Sequence, residues 1–287
     1  MHRQINAWVE GQSGWARPLG EKVQHALGDL FATRRPIKNL LNGTWFGHPV
    51  HPAVTDVPVG AMTMAALFDV TGHDAPADIA VATGLAGMAA AAATGAADAV
   101  DAYGRPQVLA TVHATCMVAA FGAYTGSMLL RLGPRRGRPL ARALSFAGYA
   151  AMTAGSYVGG DLTYRTGNQV DRHAFDTGGS KWKALDVNEV PADRLTRAKL
   201  GNETLVLYRA TDGEPIQALH ATCAHAGGPL DKGTVIDGCV QCPWHQSRFR
   251  LLDGQVVQGP AVYDQPAYDV RVTPEGGLEA RRSAAAH

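Results

Sequence analysis

Cysteine is scarce in this chain, with four among 287 residues, so the disulfide framework of a small secreted protein is not expected. This scarcity favours a reducing compartment for the C-terminal part, which contains three of the four. The formal net charge of +1 provides no attraction for a polyanion, and nucleic acid is therefore excluded as an expected partner. The first 42 residues lack an apolar core of signal-peptide length and a twin-arginine start, so no secretory signal is expected there.

The first 42 residues are amphipathic instead. Apolar residues recur there at helical spacing with charged residues between them, which predicts an amphipathic helix. Such a helix either lies on a membrane surface or packs against the C-terminal domain. Its apolar positions are Leu19, Val23, Leu27, Leu30 and Phe31.

Charged residues are nearly absent from four stretches before residue 165, and each stretch is close to the length of a membrane span. About 20 helical residues cross a hydrocarbon layer ~30 Å thick. The stretches are rich in Ala and Gly rather than Leu, so a soluble Ala-rich bundle is the alternative. We predict four transmembrane helices, at residues 52 to 70, 79 to 97, 107 to 130 and 143 to 160.

Basic residues do not orient this bundle by the positive-inside rule. Arg34, Arg35 and Lys38 precede the first stretch, whereas a second basic group lies on the opposite side in a four-helix topology. The sidedness therefore rests on the cysteine argument, which favours the cytoplasmic side for the C-terminal domain. The second group consists of Arg131, Arg135, Arg136, Arg138 and Arg142.

Ionisable residues at membrane depth are costly and usually functional, so the histidines near the predicted helices are candidates for a site. In an up-down bundle, His48, His51, Asp56 and His113 fall toward one face of the membrane. Two imidazoles on facing helices would suit a b-type haem. Alternatively, His113 and Asp56 would suit proton uptake from a quinol. A third interpretation is that these histidines cap helix starts and bond to neighbouring carbonyls.

A cysteine followed closely by a histidine occurs twice in the C-terminal part, with 16 residues between the pairs. Two thiolates suit one iron and two imidazoles the other, which is the ligand division of a 2Fe-2S centre with mixed ligation. A zinc site is the alternative because Zn²⁺ accepts the same ligand types, but zinc fingers usually place both cysteines in one knuckle. The two pairs are Cys223 with His225 and Cys242 with His245.

Residues 181 to 282 resemble a Rieske domain of the ferredoxin type. The resemblance rests on both ligand pairs, on the turn Gly227-Gly228-Pro229 and on the segment Gln258-Gly259-Pro260-Ala261, all in the family's order. It implies an antiparallel β-sandwich with two cluster-binding loops at one tip. It also implies that the two cysteines hold the buried iron of one 2Fe-2S cluster and the two histidines hold the outer iron. In this family Gly227 and Gly228 would shape the first loop, and Trp244 and Pro260 would shield the cluster from water.

Several positions bear on the reduction potential that this resemblance implies. Ser247 matches a serine that donates a hydrogen bond to the cluster in the Rieske subunits of cytochrome bc complexes. Phe249 stands where those subunits carry a tyrosine, and Gly228 and Trp244 stand in place of their disulfide cysteines. We therefore expect a potential in the middle or lower part of the Rieske range of roughly −150 to +300 mV. Gln246 stands where relatives mostly have Gly, so a positive φ would strain it.

Residues 43 to 60 also resemble a known family. Their segment Gly-His-Pro-Val-His-Pro, at residues 47 to 52, is similar to the Gly-His-Pro-x-His-Pro signature of an uncharacterised bacterial four-helix membrane family. That family is sometimes fused to a Rieske domain. The resemblance covers roughly residues 40 to 165, and it implies a topology and little chemistry.

These observations predict a multidomain α + β protein that combines an N-terminal transmembrane four-helix bundle with a C-terminal antiparallel β-sandwich. The expected function is that of a membrane-anchored carrier that transfers one electron at a time between redox proteins or quinone. The expected segments are an amphipathic N-terminal segment (1–42), a four-helix membrane domain (43–165), a linker (166–180), a Rieske domain (181–282) and a disordered tail (283–287).

Three other functions would use the same residues differently. A quinol-linked or haem-linked oxidoreductase would use the His/Asp residues of the membrane domain, and a redox sensor would convert cluster oxidation into a movement of the helices. A Rieske oxygenase would need a mononuclear iron on two histidines and a carboxylate. Only 42 residues follow His245, which leaves little room for such a second domain there.

Overall fold

The computed structural model describes residues 2–176 and 179–283, which fall into two compact units. The first unit combines the chain up to Arg34 with Val50–Asn168, and its regular elements are helices. The second unit combines Arg35–Pro49 with the chain from Gln169 onward, and it contains the strands. This division differs from the predicted boundary between residues 42 and 43, since residues 35–49 group with the C-terminal domain.

Seven α-helices lie between residues 2 and 164: α1 (His2–Gly11), α2 (Ser13–Ala32), α3 (Arg35–Asn42), α4 (Val50–Thr71), α5 (Asp74–Ala99), α6 (Arg105–Arg131) and α7 (Arg138–Tyr164). Local sequence explains several of their ends. Gly72 adopts a φ of +78° between α4 and α5, a conformation that glycine reaches without steric cost. Pro106 and Pro139 lie in the first turns of α6 and α7, where the missing N–H costs no helical hydrogen bond.

Three helices, α4, α5 and α6, are long and apolar enough to cross a membrane. They contain the first three predicted stretches. Helix α7 covers the fourth stretch and has 27 residues, yet it is not among the candidate spans of the described residues. Four glycines and three tyrosines dilute its apolar residues. The structure therefore supports three of the four predicted spans, and a fourth crossing by α7 stays a prediction.

Helix α2 contains the predicted amphipathic pattern, and it packs within the helical unit. The Nε2 of Gln24 donates a hydrogen bond to the carbonyl of Ala99 at 2.8 Å, and the Nε2 of Gln107 donates one to Gln24 Oε1 at 2.6 Å. A Cβ atom on Gly20 would lie 2.5 Å from Thr111 Oγ1, so α2 and α6 approach closely at this glycine. Helix α2 thus makes polar contacts to α5 and α6. The two positions expected for this helix from the sequence were a membrane surface and the C-terminal domain, and neither includes packing against these two helices.

A buried ion-pair network closes the end of the bundle where α4 and α6 finish. The side chain of Arg131 is fully buried, and it donates hydrogen bonds to Asp69, to Asp78 at 2.9 Å and to Ser127 at 3.0 Å. A buried charge is tolerated only with such multiple partners. One arginine of the second basic group is therefore neutralised inside the bundle.

All pairs of neighbouring strands in the described residues are antiparallel, as predicted. One sheet has six strands in the order β1-β10-β9-β4-β3-β2, and the other has four in the order β5-β6-β7-β8. Packing of the two sheets as a sandwich stays a prediction. The strands are β1 (Lys183–Ala184), β2 (Thr196–Leu200), β3 (Glu203–Tyr208), β4 (Gln217–His220), β5 (Thr234–Ile236), β6 (Cys239–Gln241), β7 (Arg248–Arg250), β8 (Val256–Gln258), β9 (Ala267–Val272) and β10 (Leu278–Arg282).

The hydrophobic core of the β domain extends to the loops that carry the predicted ligands. Cys223 and Cys242 belong to the same cluster of buried side chains as Val240 and Phe249, which pair across β6 and β7. Cys239 is also buried, where it packs as a small apolar residue of strand β6. Both cysteine-containing loops are therefore anchored in well-packed structure.

The predicted linker and tail are only partly described. Thr177 and Gly178 of the linker, and residues 284–287 of the tail, lie outside the described residues. Ser283 donates a backbone hydrogen bond to the carbonyl of Ala267 at 3.0 Å and contacts Asp269 through its hydroxyl. Ser283, which we assigned to the disordered tail, thus continues the pairing of the last strand.

Candidate metal centre

The first ligand loop follows strand β4 and is closed by its own backbone. The N–H of Cys223 donates to the carbonyl of Gly228 at 2.8 Å, and the N–H of Gly227 donates back to the carbonyl of Cys223 at 2.9 Å. Gly227 has a φ of +81°, which a residue with a side chain rarely adopts. Glycine at 227 adopts this backbone angle without the strain that a side chain would add.

The second loop joins β6 to β7 and repeats this closure. The N–H of Cys242 donates to the carbonyl of Ser247 at 2.8 Å, and the N–H of Gln246 donates to the carbonyl of Cys242 at 3.1 Å. Gln246 has a φ of +65°, so the position does need the left-handed conformation that relatives supply with glycine. A non-glycine residue there stores roughly 1–3 kcal/mol of strain.

The four predicted ligands converge at the tip formed by the two loops. The Nδ1 atoms of His225 and His245 lie 3.2 Å apart, and the two rings are perpendicular. Two nitrogens on one tetrahedral metal ion lie roughly 3.3 Å apart at metal–nitrogen distances of about 2.0–2.1 Å. The two imidazoles are therefore arranged to hold a single ion between them, and the donor set fits the outer iron of a Rieske cluster.

The thiols of Cys223 and Cys242 also interact directly. Their shared hydrogen bond lowers the pKa of Cys242 to about 7 and raises the pKa of Cys223. Backbone N–H groups of Trp244 and His245 further stabilise the Cys242 thiolate. Burial lowers the pKa of His225 to about 3, and the charges of His245 and Lys38 contribute to the shift. A neutral His225 imidazole and an easily formed Cys242 thiolate are protonation states that suit metal binding.

Gly228 is required for space rather than for its backbone angles. A Cβ atom at this position would lie 2.7 Å from the sulfur of Cys242 and 3.2 Å from the ring of Trp244. Both distances are shorter than normal contacts, so the first loop can approach the second only because residue 228 has no side chain. Trp244 itself is 57% exposed, and any shielding of the cluster by its ring is one-sided.

Ser247 is fully buried and bonded to the third loop. Its hydroxyl oxygen accepts a hydrogen bond from the N–H of Ala261 at 3.0 Å. The hydroxyl proton therefore remains available for a further acceptor, which fits the predicted bond to a cluster sulfur. Pro260, between Gly259 and Ala261 in the third loop, is also buried. These placements agree with the roles that the resemblance implied for Ser247 and Pro260.

A segment that sequence reasoning did not assign to the site packs against it. We call residues 35–49, which contain α3, the cap segment. The N–H of Gly259 donates to Asn39 Oδ1 at 3.1 Å, and Thr44 Oγ1 donates to the carbonyl of Ala261 at 3.4 Å. Arg35 donates a hydrogen bond to the Oε1 of Gln246. The cap segment therefore contacts both the second and the third loop of the cluster tip.

A second polar group behind the first loop was also missed. Gln265 is 1% exposed; its Oε1 accepts from the N–H of Ala224 at 2.9 Å, and its Nε2 donates to the carbonyl of Thr222 at 2.6 Å. The Nε2 of His173 lies 2.7 Å from that same carbonyl, and its Nδ1 lies 2.6 Å from Asp176. This group fixes the backbone on both sides of Cys223. No local signal in the sequence indicates this group, because Gln265 is separated from its partners Ala224 and Thr222 by 41 and 43 positions.

His173, Asp176 and His220 have the composition of a mononuclear iron site, with ligand atoms within 4.8 Å of one another. Hydrogen bonding explains the arrangement better. The Nδ1 of His220 accepts from the N–H of Thr222 at 3.1 Å, which places the proton of the neutral ring on Nε2 and leaves no lone pair for a metal. Burial and the charge of His173 lower the pKa of His220 to about 4, so the ring is neutral. The group therefore stabilises the first loop.

In the helical unit the structure brings together two of the four predicted membrane residues. His51 on α4 and His113 on α6 have ring centres 6.3 Å apart. The Nδ1 of His51 lies 3.0 Å from the carbonyl of Ala91, and the Nδ1 of His113 lies 2.8 Å from that of Gly155. Both rings thus donate from Nδ1 to helix carbonyls of a neighbouring helix.

The other two predicted membrane residues are placed differently. Asp56 is exposed on α4, and it makes no hydrogen bond with either imidazole among the described residues. His48 belongs to the cap segment, where its Nδ1 lies 3.0 Å from the carbonyl of Pro49 and its ring packs on Phe46. Within the helical unit, His51 and His113 therefore lie together, and Asp56 is apart from both imidazoles.

Comparisons with known proteins agree with these observations. A Rieske [2Fe-2S] domain model matches residues 180–269, and a model of predicted membrane proteins (DUF2231) matches residues 47–172. The anthranilate 1,2-dioxygenase ferredoxin subunit of Burkholderia cepacia is 28% identical over 101 residues, which cover 35% of this chain and 91% of that subunit. Cholesterol 7-desaturase nvd of Xenopus laevis is 31% identical over 88 residues, 30% of this chain and 19% of the desaturase.

Among solved structures, the ferredoxin of carbazole 1,9a-dioxygenase from Nocardioides aromaticivorans IC177 is similar with a TM-score of 0.31 and 23% identity, over 35% of this chain and 96% of the ferredoxin. The chain thus spans nearly all of a ferredoxin subunit but about a fifth of the desaturase. The matched model describes a [2Fe-2S] domain, and the matched residues 180–269 contain Cys223, His225, Cys242 and His245. The chain therefore combines a domain of the DUF2231 predicted membrane proteins at residues 47–172 with a Rieske [2Fe-2S] domain at residues 180–269.

Proposed function

We propose that this protein is a membrane-anchored electron carrier that passes single electrons between redox partners. The observation that carries the proposal is the 3.2 Å approach of the His225 and His245 Nδ1 atoms in a matched Rieske domain, on the same chain as three apolar helices. A 2Fe-2S cluster, when bound, supplies a reversible one-electron step. The helices supply the anchor, and the β domain holds the cluster ligands rigidly.

Each ligand has a distinct task in this proposal. Cys223 and Cys242, both buried in the hydrophobic core, hold the inner iron as thiolates. His225 and His245 hold the outer iron through Nδ1, which leaves each Nε2 on the far side of its ring. The Ser247 hydroxyl accepts a hydrogen bond from Ala261, so its own O–H would be free to donate a hydrogen bond to a cluster sulfur. Such a bond would favour the reduced state of the cluster.

The two histidines differ in access to a partner. His225 is 6% exposed, whereas His245 is half-buried and lies next to the exposed ring of Trp244. Electrons therefore enter and leave by the His245 side, where a partner reaches the imidazole edge directly.

A protein is the better-supported partner for this site. The ferredoxin subunit of a dioxygenase aligns with the chain over 91% of that subunit's length. By analogy the donor is a reductase and the acceptor an oxygenase or another electron-accepting enzyme. All four cysteines lie in the described residues and none forms a disulfide, which supports a reducing environment and the cytoplasmic side for the β domain.

The proposal is tested on the full chain purified in a mild detergent. We expect two irons per chain, the composition of a Rieske [2Fe-2S] domain, and a Rieske-type absorption and electron paramagnetic resonance (EPR) spectrum. Cys242→Ala should abolish the spectrum, whereas the matched variant Cys239→Ala, which removes a buried thiol outside the ligand set, should retain it. Zinc in place of iron would refute the proposed electron transfer. A chain that stays in solution without detergent would refute the proposed membrane anchoring.

The pair His51 and His113 favours a second candidate, an oxidoreductase with a site among the helices. Two imidazoles on opposite sides of one metal ion have ring centres roughly 6 Å apart at ordinary metal–nitrogen distances, and the observed separation is 6.3 Å. Both Nδ1 atoms are engaged by carbonyls, which directs the lone pairs of Nε2 away from them. A haem absorbance or extractable quinone that disappears in His113→Ala would support this function. Absence of both from the intact protein would exclude it.

A further inference from the structure

The cap segment contains a buried cation, Lys38. Lys38 lies on α3, one residue before Asn39, whose side chain accepts the hydrogen bond from Gly259. The Lys38 side chain is nearly inaccessible to solvent, since the residue is 3% exposed. Its charge acts on His225, the buried ligand of the outer iron. A buried cation from the N-terminal part of the chain thus belongs to the segment that contacts the second and third loops of the cluster tip.

The close packing of the cap segment fixes this cation in place. A Cβ atom on Gly259 would lie 2.8 Å from Thr44 Oγ1 and 3.4 Å from Asn39 Oδ1, so the third loop fits closely against the cap segment. The hydrogen bond from Arg35 to Gln246 adds a contact to the residue that follows His245. Contacts of Arg35, Asn39 and Thr44 therefore hold the cap segment against the tip.

A buried cation influences a redox centre more strongly than an exposed one does. Reduction adds one negative charge to the cluster, and a nearby positive charge stabilises that state. The interaction is weakly screened where protein replaces water, and strongly screened at the surface. Arg172 also acts electrostatically on His225, but its side chain is exposed, so its influence is weaker.

We propose that Lys38 is a tuning residue that raises the reduction potential of the Rieske cluster. It compensates for Phe249, a buried side chain that has no hydroxyl to offer to the cluster. The inference rests on the proposed electron-transfer function, and it predicts a higher potential than the loop sequences alone indicate. Lys38 is far from the cluster ligands in sequence, and only the packing of the cap segment connects them.

The test is a redox titration of the full chain in detergent, followed by EPR. Lys38→Met keeps the length of the side chain and removes its charge, and we expect at least a tenfold less favourable reduction, a fall of about 59 mV for one electron. Lys38→Arg should stay within threefold of the wild type. Arg172→Gln, which removes the exposed charge, should also change the equilibrium less than threefold.

A second variant keeps the test decisive if Lys38→Met does not assemble a cluster. Asn39→Asp preserves an acceptor for the Gly259 N–H and adds a negative charge where the cap segment contacts the third loop, so it should also make reduction at least tenfold less favourable. An unchanged potential in an iron-replete charge variant overturns the inference. A wild-type chain without iron would instead overturn the proposed function, so the two failures are distinguishable.

Discussion

Replacing Gly228 by alanine adds one methyl group between the two cluster-binding loops. The new Cβ would lie 2.7 Å from Cys242 Sγ and 3.2 Å from the Trp244 ring. The backbone of Cys242 is held by its hydrogen bond to Ser247, and in the proposed cluster the sulfur of Cys242 would be a ligand, so it could not move away without loosening the iron. Trp244 is exposed and can move, which makes the sulfur contact the decisive one.

The expected cost follows from known effects of overpacking. Extra methyl groups in a packed interior cost roughly 1–3 kcal/mol, which corresponds to about 5- to 150-fold in an equilibrium constant. Gly227→Ala is the matched contrast, because φ there is +81° but the nearest atom is 3.7 Å from the new Cβ. Gly238→Ala has a φ of +73° and nothing within 4 Å, so it reports backbone strain alone.

The assay is iron per chain, together with the thermal loss of the visible circular dichroism of the cluster. We expect Gly228→Ala to lose most of its cluster or to release it at a lower temperature. Gly227→Ala and Gly238→Ala should lose stability through strain and still bind iron. A Gly228→Ala protein with the iron content and EPR spectrum of the wild type would refute the argument that the two loops meet across this glycine.

Three further predictions concern the surroundings of the cluster. Ser247→Ala should lower the reduction potential, because the proposed hydrogen bond to the cluster is lost. It should also destabilise the domain by roughly 1–3 kcal/mol, because the buried N–H of Ala261 loses its acceptor. A potential equal to that of the wild type in a redox titration would contradict the proposed hydrogen bond to the cluster. Gln246→Gly should raise the thermal midpoint, since glycine relieves roughly 1–3 kcal/mol of strain at a φ of +65°, and an unchanged or lower midpoint would count against that strain. The pKa of His220 is lowered from 6.5 to about 4 in the folded protein, so the unfolded chain binds the proton more tightly and stability should fall as the pH drops from about 6.5 toward 4. His220→Asn, whose Oδ1 can accept from the N–H of Thr222, should make the unfolding free energy less dependent on pH in this range. An identical pH dependence in the variant would exclude His220 as the cause of the fall in stability.

Much of the cluster site follows from local sequence. The spacing of the cysteine–histidine pairs restricts each pair to one tight loop, and the mixture of thiolate and imidazole ligands is enough to indicate the kind of cluster. Gly227 is indicated in the same way, because its left-handed backbone angle is a local property. The apolar helices α4 to α6 follow from composition and length, since a membrane imposes both.

Long-range packing decided the rest. The hydrogen bond from Gly259 to Asn39 joins residues separated by 220 positions, and no periodicity or motif indicates such a contact. The Arg131 network and the pairing of His51 with His113 likewise depend on which helix faces converge.

The sequence by itself therefore determined the ligands and the presence of apolar helices, because both depend on residue type at short spacing. Only the tertiary structure decided that His225 is covered while His245 is accessible, and that Lys38 lies beside the cluster tip. Burial and electrostatic neighbours are properties of atoms brought together by folding, and residues far apart in the chain acquire them only when the domain has packed.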